Sequence, residues 1–164
     1  MKSLFILSLL FIAVSCNAQK ENATKNSSKK ELVWHTDMNQ AIAISQKEKK
    51  PMMLFFTGSD WCGWCIRLQN EVFKKDEFTK WAKENVVLVE IDFPKKNTQT
   101  DAIKQQNNQL QQTFAVQGYP TVFFVTAEKG EGGKVNLTSL GKSGYMAGGP
   151  EGWINNANTF LTKK

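Results

Sequence analysis

Residues 52–65 read MMLFFTGSDWCGWC, and this stretch decides the fold. Met52–Thr57 is a continuous apolar run, as expected of a central strand buried on both faces. Gly58-Ser59-Asp60 then reads as a loop. Cys62 and Cys65 follow, with a helix predicted from Cys62 to about Asn70. The strand anchors the loop, and the helix N-terminus points unpaired amides and partial positive charge at the first sulfur. That favours thiolate over thiol and lowers the pKa from about 8.5 into a range of about 3.5–7.5. The i, i+3 spacing brings both sulfurs onto one helix face. Cys62 is therefore expected to attack, and Cys65, one turn later and more buried, to resolve the mixed disulfide.

Other uses of a cysteine pair need further ligands, which the chain offers only far upstream or not at all. Tetrahedral zinc would need two further donors, and the candidates, Cys16 and His35, both lie upstream of the strand. An iron–sulfur cluster wants four thiolates where the chain has 3 Cys. The expectation is no metal and no cofactor beyond a redox-active Cys62–Cys65 disulfide.

Working outward, Asp37 is placed to cap a helix over Met38–Lys49, which Pro51 ends. Asp76 is expected to cap a short helix containing Phe78 and Trp81. Asn85–Phe93 (NVVLVEIDF) reads as a second strand, and a helix is predicted from Thr100 or Asp101 to about Gln112. Gly118-Tyr119-Pro120 breaks the chain before a strand at Thr121–Thr126. A Gly-containing turn at Glu128–Gly133 leads to a strand around Val135–Leu140, implying an antiparallel hairpin. Pro150 is expected at the first position of a last helix, with Trp153, Ile154, Ala157, Phe160 and Leu161 as its apolar face. Gly144–Gly149 is expected to be flexible, with no function assigned. The early alternation of strands and helices implies parallel crossovers. The fold class is α/β, a mixed central sheet with helices on both faces.

The strand MMLFF, the motif WCGWC, the strand VVLVEID and the loop Gly118-Tyr119-Pro120-Thr121 together resemble the thioredoxin superfamily, over about Leu32–Leu161. The resemblance implies a thioredoxin fold, a cis Tyr119–Pro120 bond against the Cys pair, and backbone at Tyr119 that pairs with a substrate strand. The segment from Trp61 to Asp92 is similar to thioredoxin-like domains of bacterial envelopes, including the C-terminal domain of the transmembrane electron carrier DsbD. Candidate substrate-binding residues are Trp61, Gly63, Trp64, Tyr119 and Pro120. The chain departs from cytosolic thioredoxins in carrying Gly63-Trp64 between the cysteines. It also has Phe55 and Phe56 where the superfamily places an acidic residue beneath the site. Glu90, in the neighbouring strand, is the candidate proton relay.

The first 30 residues read differently. A basic start at Lys2 and the apolar run Leu4–Val14 make a secretory signal, too short for a typical membrane span of about 20 residues. Cleavage after Ala18 gives a signal peptide over 1–18; a lipobox-like Ala13-Val14-Ser15-Cys16 would instead end the signal at 15 and lipidate Cys16. Residues 19–30 (QKENATKNSSKK) have no hydrophobic period and read as a flexible linker to a domain over 31–164. The 164-residue chain carries 21 Lys+Arg and 15 Asp+Glu, net +6, with a single Arg. Setting aside the five Lys and one Glu before residue 31 leaves 16 basic and 14 acidic residues, net +2. The charge therefore does not mark a nucleic-acid face.

These readings converge on an exported, envelope-located thiol–disulfide oxidoreductase, expected to act as a reductase on protein disulfides. A membrane electron donor of DsbD type would recharge it. Oxidation or isomerisation is the runner-up; a metallochaperone or an inactive interaction module on the same fold are the alternatives of other classes.

Overall fold

The computed structural model describes residues 32–130, 132 and 134–162. The expected signal, linker and Cys16 lipidation site lie outside the described residues. Five strands form one sheet: β1 (Trp34–His35), β2 (Met52–Thr57), β3 (Val87–Asp92), β4 (Thr121–Lys129) and β5 (Val135–Ser143). Their spatial order is β1-β3-β2-β4-β5. The first three are parallel, while β4 runs antiparallel to β2 and β5 antiparallel to β4.

Strand β2 is central, and its alternation splits the core. Met53 and Phe55 face one layer, packed with Leu68, Phe73, Phe78 and Trp153. Met52, Leu54 and Phe56 face the other, packed with Met38, Ala41, Ile91 and Leu110. The first layer is closed by α2 (Gly63–Leu68), a π-helical turn over Gln69–Phe73, α3 (Asp76–Asn85) and α5 (Gly149–Leu161). The second is closed by α1 (Met38–Glu48) and α4 (Asp101–Thr113). Helices thus cover both faces, and β2 is buried at every position.

Several boundaries differ from the expectation, each for a local reason. Strand β1 has two residues, too few to show a period, and is defined by pairing Trp34 with Leu88 and His35 with Val89. Asp76 is the first residue of α3 rather than its cap; Lys75 is the cap, and its side chain makes no capping bond. The acidic side chain still complements the helix N-terminus. The expected strand start at Asn85 fails because Asn85 ends α3, with its Nδ2 donating to the Trp81 carbonyl at 2.7 Å. The helix from Cys62 does not stop near Asn70 but widens into the π turn, where the Lys74 amide reaches the Gln69 carbonyl at 2.9 Å. Strands β4 and β5 run longer than expected because they pair with each other, with Leu140 as the extra residue between Phe124↔Gly141 and Val125↔Ser139. Pro150 is the second residue of α5; Gly148 caps it at φ 108°, a left-handed conformation that favours glycine.

Asp37 caps α1 as expected, accepting the amides of Asn39 and Gln40. Thr100 caps α4 through the Ile103 amide.

Candidate active site

Cys62 and Cys65 form a disulfide with a Cα separation of 5.2 Å. Cys62 is the N-cap of α2, with φ −84° and ψ 99°, and its Sγ accepts the Cys65 amide at 3.2 Å. The two sulfurs are not equivalent. Cys62 keeps 6% of its surface and Cys65 none. A side chain that caps a helix must sit outside its first turn, whereas a residue three positions on lies within it.

The loop before the motif is tied down on the other side. Asp60 accepts the amides of Lys95, Lys96 and Asn97 at 3.0, 2.7 and 3.1 Å. These amides hold its carboxyl below the usual range, that of Lys95 most, against a smaller opposing effect of burial. Ser59 adds two bonds to Asp92, from its amide at 2.8 Å and its hydroxyl at 2.6 Å. The Trp61 indole donates to the Phe93 carbonyl at 2.8 Å. Gly58 is required here, because a Cβ at that position would overlap the Trp61 indole.

Two tryptophans, one before Cys62 and one between the cysteines, stand out from the surface. Trp61 is 41% exposed and Trp64 55% exposed. Trp61 meets Tyr119 edge-on at 5.9 Å, and Lys95 Nζ lies 4.2 Å from a Trp61 ring centroid. Tyr119 stacks on Phe93 at 5.2 Å, and the Tyr119–Pro120 bond is cis. Burial, reinforced by the charge of Asp92, pushes the Tyr119 phenol up. Trp64 meets Tyr145 at 5.0 Å. Gly63, between the sulfurs, is open enough that a Cβ there would touch nothing within 4 Å.

Beneath the pair, Phe55 is in register with Glu90 and Thr57 with Asp92. Phe55 packs in the same layer as both cysteines, so Glu90 shares their face of the sheet. Burial pushes the Glu90 carboxyl up, and the charge of Asp92 adds to this. The Thr57 hydroxyl is buried and finds no hydrogen-bond partner among the described residues. No group of three or more His, Cys, Asp or Glu side chains among the described residues is placed to hold a metal ion.

Sequence reasoning missed a second cluster. Glu71 Oε1 accepts Arg67 Nε at 2.7 Å, and Glu71 Oε2 accepts the Tyr145 hydroxyl at 2.8 Å. The Arg67–Glu71 pair, at i and i+4 of a helix, was readable as a helix-surface ion pair. Tyr145 was not, since it lies 74 residues from Glu71. The segment expected to be flexible is anchored: the Trp153 indole donates to the Gly144 carbonyl at 3.0 Å, and a Cβ on Gly144 would stand 3.2 Å from the Pro120 carbonyl. Tyr145 and Met146 also pack against the core.

Comparison with known proteins agrees with this geometry. A model of the thioredoxin-like domain matches residues 38–138. The chain belongs to the thioredoxin-like family. It is 31% identical over 162 residues to the disulfide bond reductase DsbH of Chlamydia pneumoniae, covering 96% of this chain and 93% of that one. A solved structure of a DsbH oxidoreductase superposes with a TM-score of 0.71 at 31% identity, covering 82% of this chain and 87% of the other. A thioredoxin from Thermus thermophilus shares the fold, with a TM-score of 0.59 at 15% identity over 80% of this chain and 88% of that one. This member of the thioredoxin-like family is a thiol–disulfide oxidoreductase whose redox group is a disulfide.

Proposed function

We propose that the protein reduces disulfides of other proteins in the cell envelope, with Cys62 as the attacking sulfur and Cys65 as the resolving one. The observation that carries this assignment is the asymmetry of the pair: Cys62 keeps 6% of its surface and its sulfur accepts an amide, while Cys65 is fully buried. In the dithiol form, the Cys62 thiolate attacks a substrate S–S bond. One substrate sulfur leaves as thiolate and takes a proton, and the other is held in a mixed disulfide. The Cys65 thiolate then attacks Cys62 Sγ, and the second substrate sulfur leaves. The substrate gains two electrons and two protons, and Cys62–Cys65 ends as a disulfide. A dithiol donor must restore it; a membrane carrier of DsbD type supplies that chemistry.

Trp61, Gly63, Trp64, Tyr119 and Pro120 line the approach to Cys62 in this reading, and Glu90 relays the Cys65 proton. The name of the DsbH relative supports the reductive direction. The signal-like N-terminus supports export, with Cys16 as the lipid attachment point where the lipobox is used.

Substrate trapping tests the assignment. Cys65→Ser should accumulate mixed disulfides through Cys62, and a Cys62→Ala background should abolish them. Adducts that persist without Cys62, or none with Cys65→Ser, would overturn it. A redox titration tests direction: a potential well above about −270 mV, the thioredoxin value, would replace reduction by oxidation or isomerisation.

A further inference from the structure

Trp64 is highly exposed, but its position is fixed by residues from three parts of the chain. Tyr145 meets its ring at 5.0 Å. The Arg67 guanidinium carbon lies 5.3 Å from the Trp64 ring and 5.1 Å from the Tyr145 ring. Glu71 holds both supports, one carboxylate oxygen on Arg67 and the other on the Tyr145 hydroxyl. The π turn matters here, since Glu71 lies within it. Wide turns of this kind are frequent at functional sites because they re-aim side chains without ending the helix.

The chemistry of this cluster is specific. Arg67 is the only Arg of the chain; its charge is matched by Glu71, and two rings lie against its half-exposed side chain. An incoming acidic side chain therefore finds the Arg67 charge already matched by Glu71. An incoming apolar or aromatic side chain finds two rings at an angle of 48°.

We propose that Tyr145 is a specificity-determining residue: with Trp64 it forms an aromatic seat beside Cys62 for an apolar side chain next to a substrate cysteine, and Glu71 and Arg67 position that seat. The substrate class is a polypeptide disulfide flanked by an apolar residue. This rests on the reading of Cys62 as the attacking sulfur. The motif supplies only one wall of the seat, Trp64; the other, Tyr145, enters from the loop after β5.

The test compares two synthetic peptides, each closed by one disulfide and differing only in Leu or Ser beside the first cysteine. Dithiothreitol regenerates the protein. The unaltered chain should reduce the Leu peptide with a kcat/KM about tenfold above the Ser peptide, the size of one good aromatic contact, and the difference should lie in KM. Tyr145→Ala should bring the ratio close to one. Tyr145→Phe keeps the ring and should retain most of the ratio. Glu71→Gln leaves Arg67 unmatched, so a third peptide with Glu at the same position should gain on the Leu peptide by several-fold. A ratio near one in the unaltered chain overturns the inference, as does a Tyr145→Ala ratio equal to it. An unchanged Glu71→Gln preference overturns the positioning role. Failure to reduce any of the peptides would instead sink the assignment of Cys62.

Discussion

The carboxylate of Asp60 accepts the Lys96 amide at 2.7 Å, joining the residue two before Cys62 to the loop after β3. The same carboxylate takes the amides of Lys95 and Asn97, so one side chain gathers three successive donors. Asp60→Ala should speed amide hydrogen exchange at residues 95–97 by about tenfold, as expected for loss of bonds to a charged acceptor. The pH dependence follows from the sign of the shift. A lowered folded pKa gives a stabilisation fully present above the ordinary value of 3.8 and lost as pH falls through the lower folded value. The amide shifts of Lys95, Lys96 and Asn97 should hold from neutral pH to below 3.8; movement at pH 5 would contradict the latch.

Glu90 shows the opposite sign. Burial, then the charge of Asp92, raises its pKa. Its contribution to stability is fully present below the ordinary carboxylate value and is lost as pH rises through the raised folded value. Glu90→Gln should therefore unfold at higher urea than the parent at neutral pH, and the gap should close in acid. If Glu90 relays the Cys65 proton, the same change should slow single-turnover reduction by roughly 10²-fold, the lower end of general acid–base effects. A stabilised variant with an unaltered rate and pH profile would leave Glu90 without a role in proton transfer.

Thr57 is fully buried, and its hydroxyl has no partner among the described residues. Replacing it by the near-isosteric Val removes an unsatisfied polar group, worth about 1–3 kcal/mol in proteins. Thr57→Val should raise the unfolding free energy by about 1 kcal/mol in urea titration. A loss of stability would mean that the hydroxyl is satisfied in solution.

Trp153 joins core and rim: its side chain is fully buried among Phe73, Phe78, Trp81 and Phe124, and its indole holds the Gly144 carbonyl. Trp153→Phe keeps an aromatic ring but strands that carbonyl and leaves a void. It should cost about 2 kcal/mol of stability, combining an unmade hydrogen bond with a small cavity. Exchange at Tyr145 and Met146 should also rise. Full retention of both would show that Gly144 is held by other contacts.

Much of the fold was legible because its signals are local. An apolar run such as Met52–Thr57 can only be buried on both sides, and caps such as Asp37 and Thr100 act within three residues. The two-residue β1 was not legible, because it exists only through its pairing with β3. The π turn was not legible either: Gln69–Phe73 carries no sequence mark that separates it from an ordinary helix end.

By itself the sequence determined the cysteine pair, the strand beneath it and the helix that begins at it. These rest on spacing and on apolar periodicity, which act over a few residues. The tertiary structure alone decided what surrounds the pair. Glu71 and Tyr145, and Asp60 and Lys96, meet only after the sheet forms, across 74 and 36 residues respectively. Their contacts depend on where loops land, and a linear pattern carries no information about side chains that approach from distant elements.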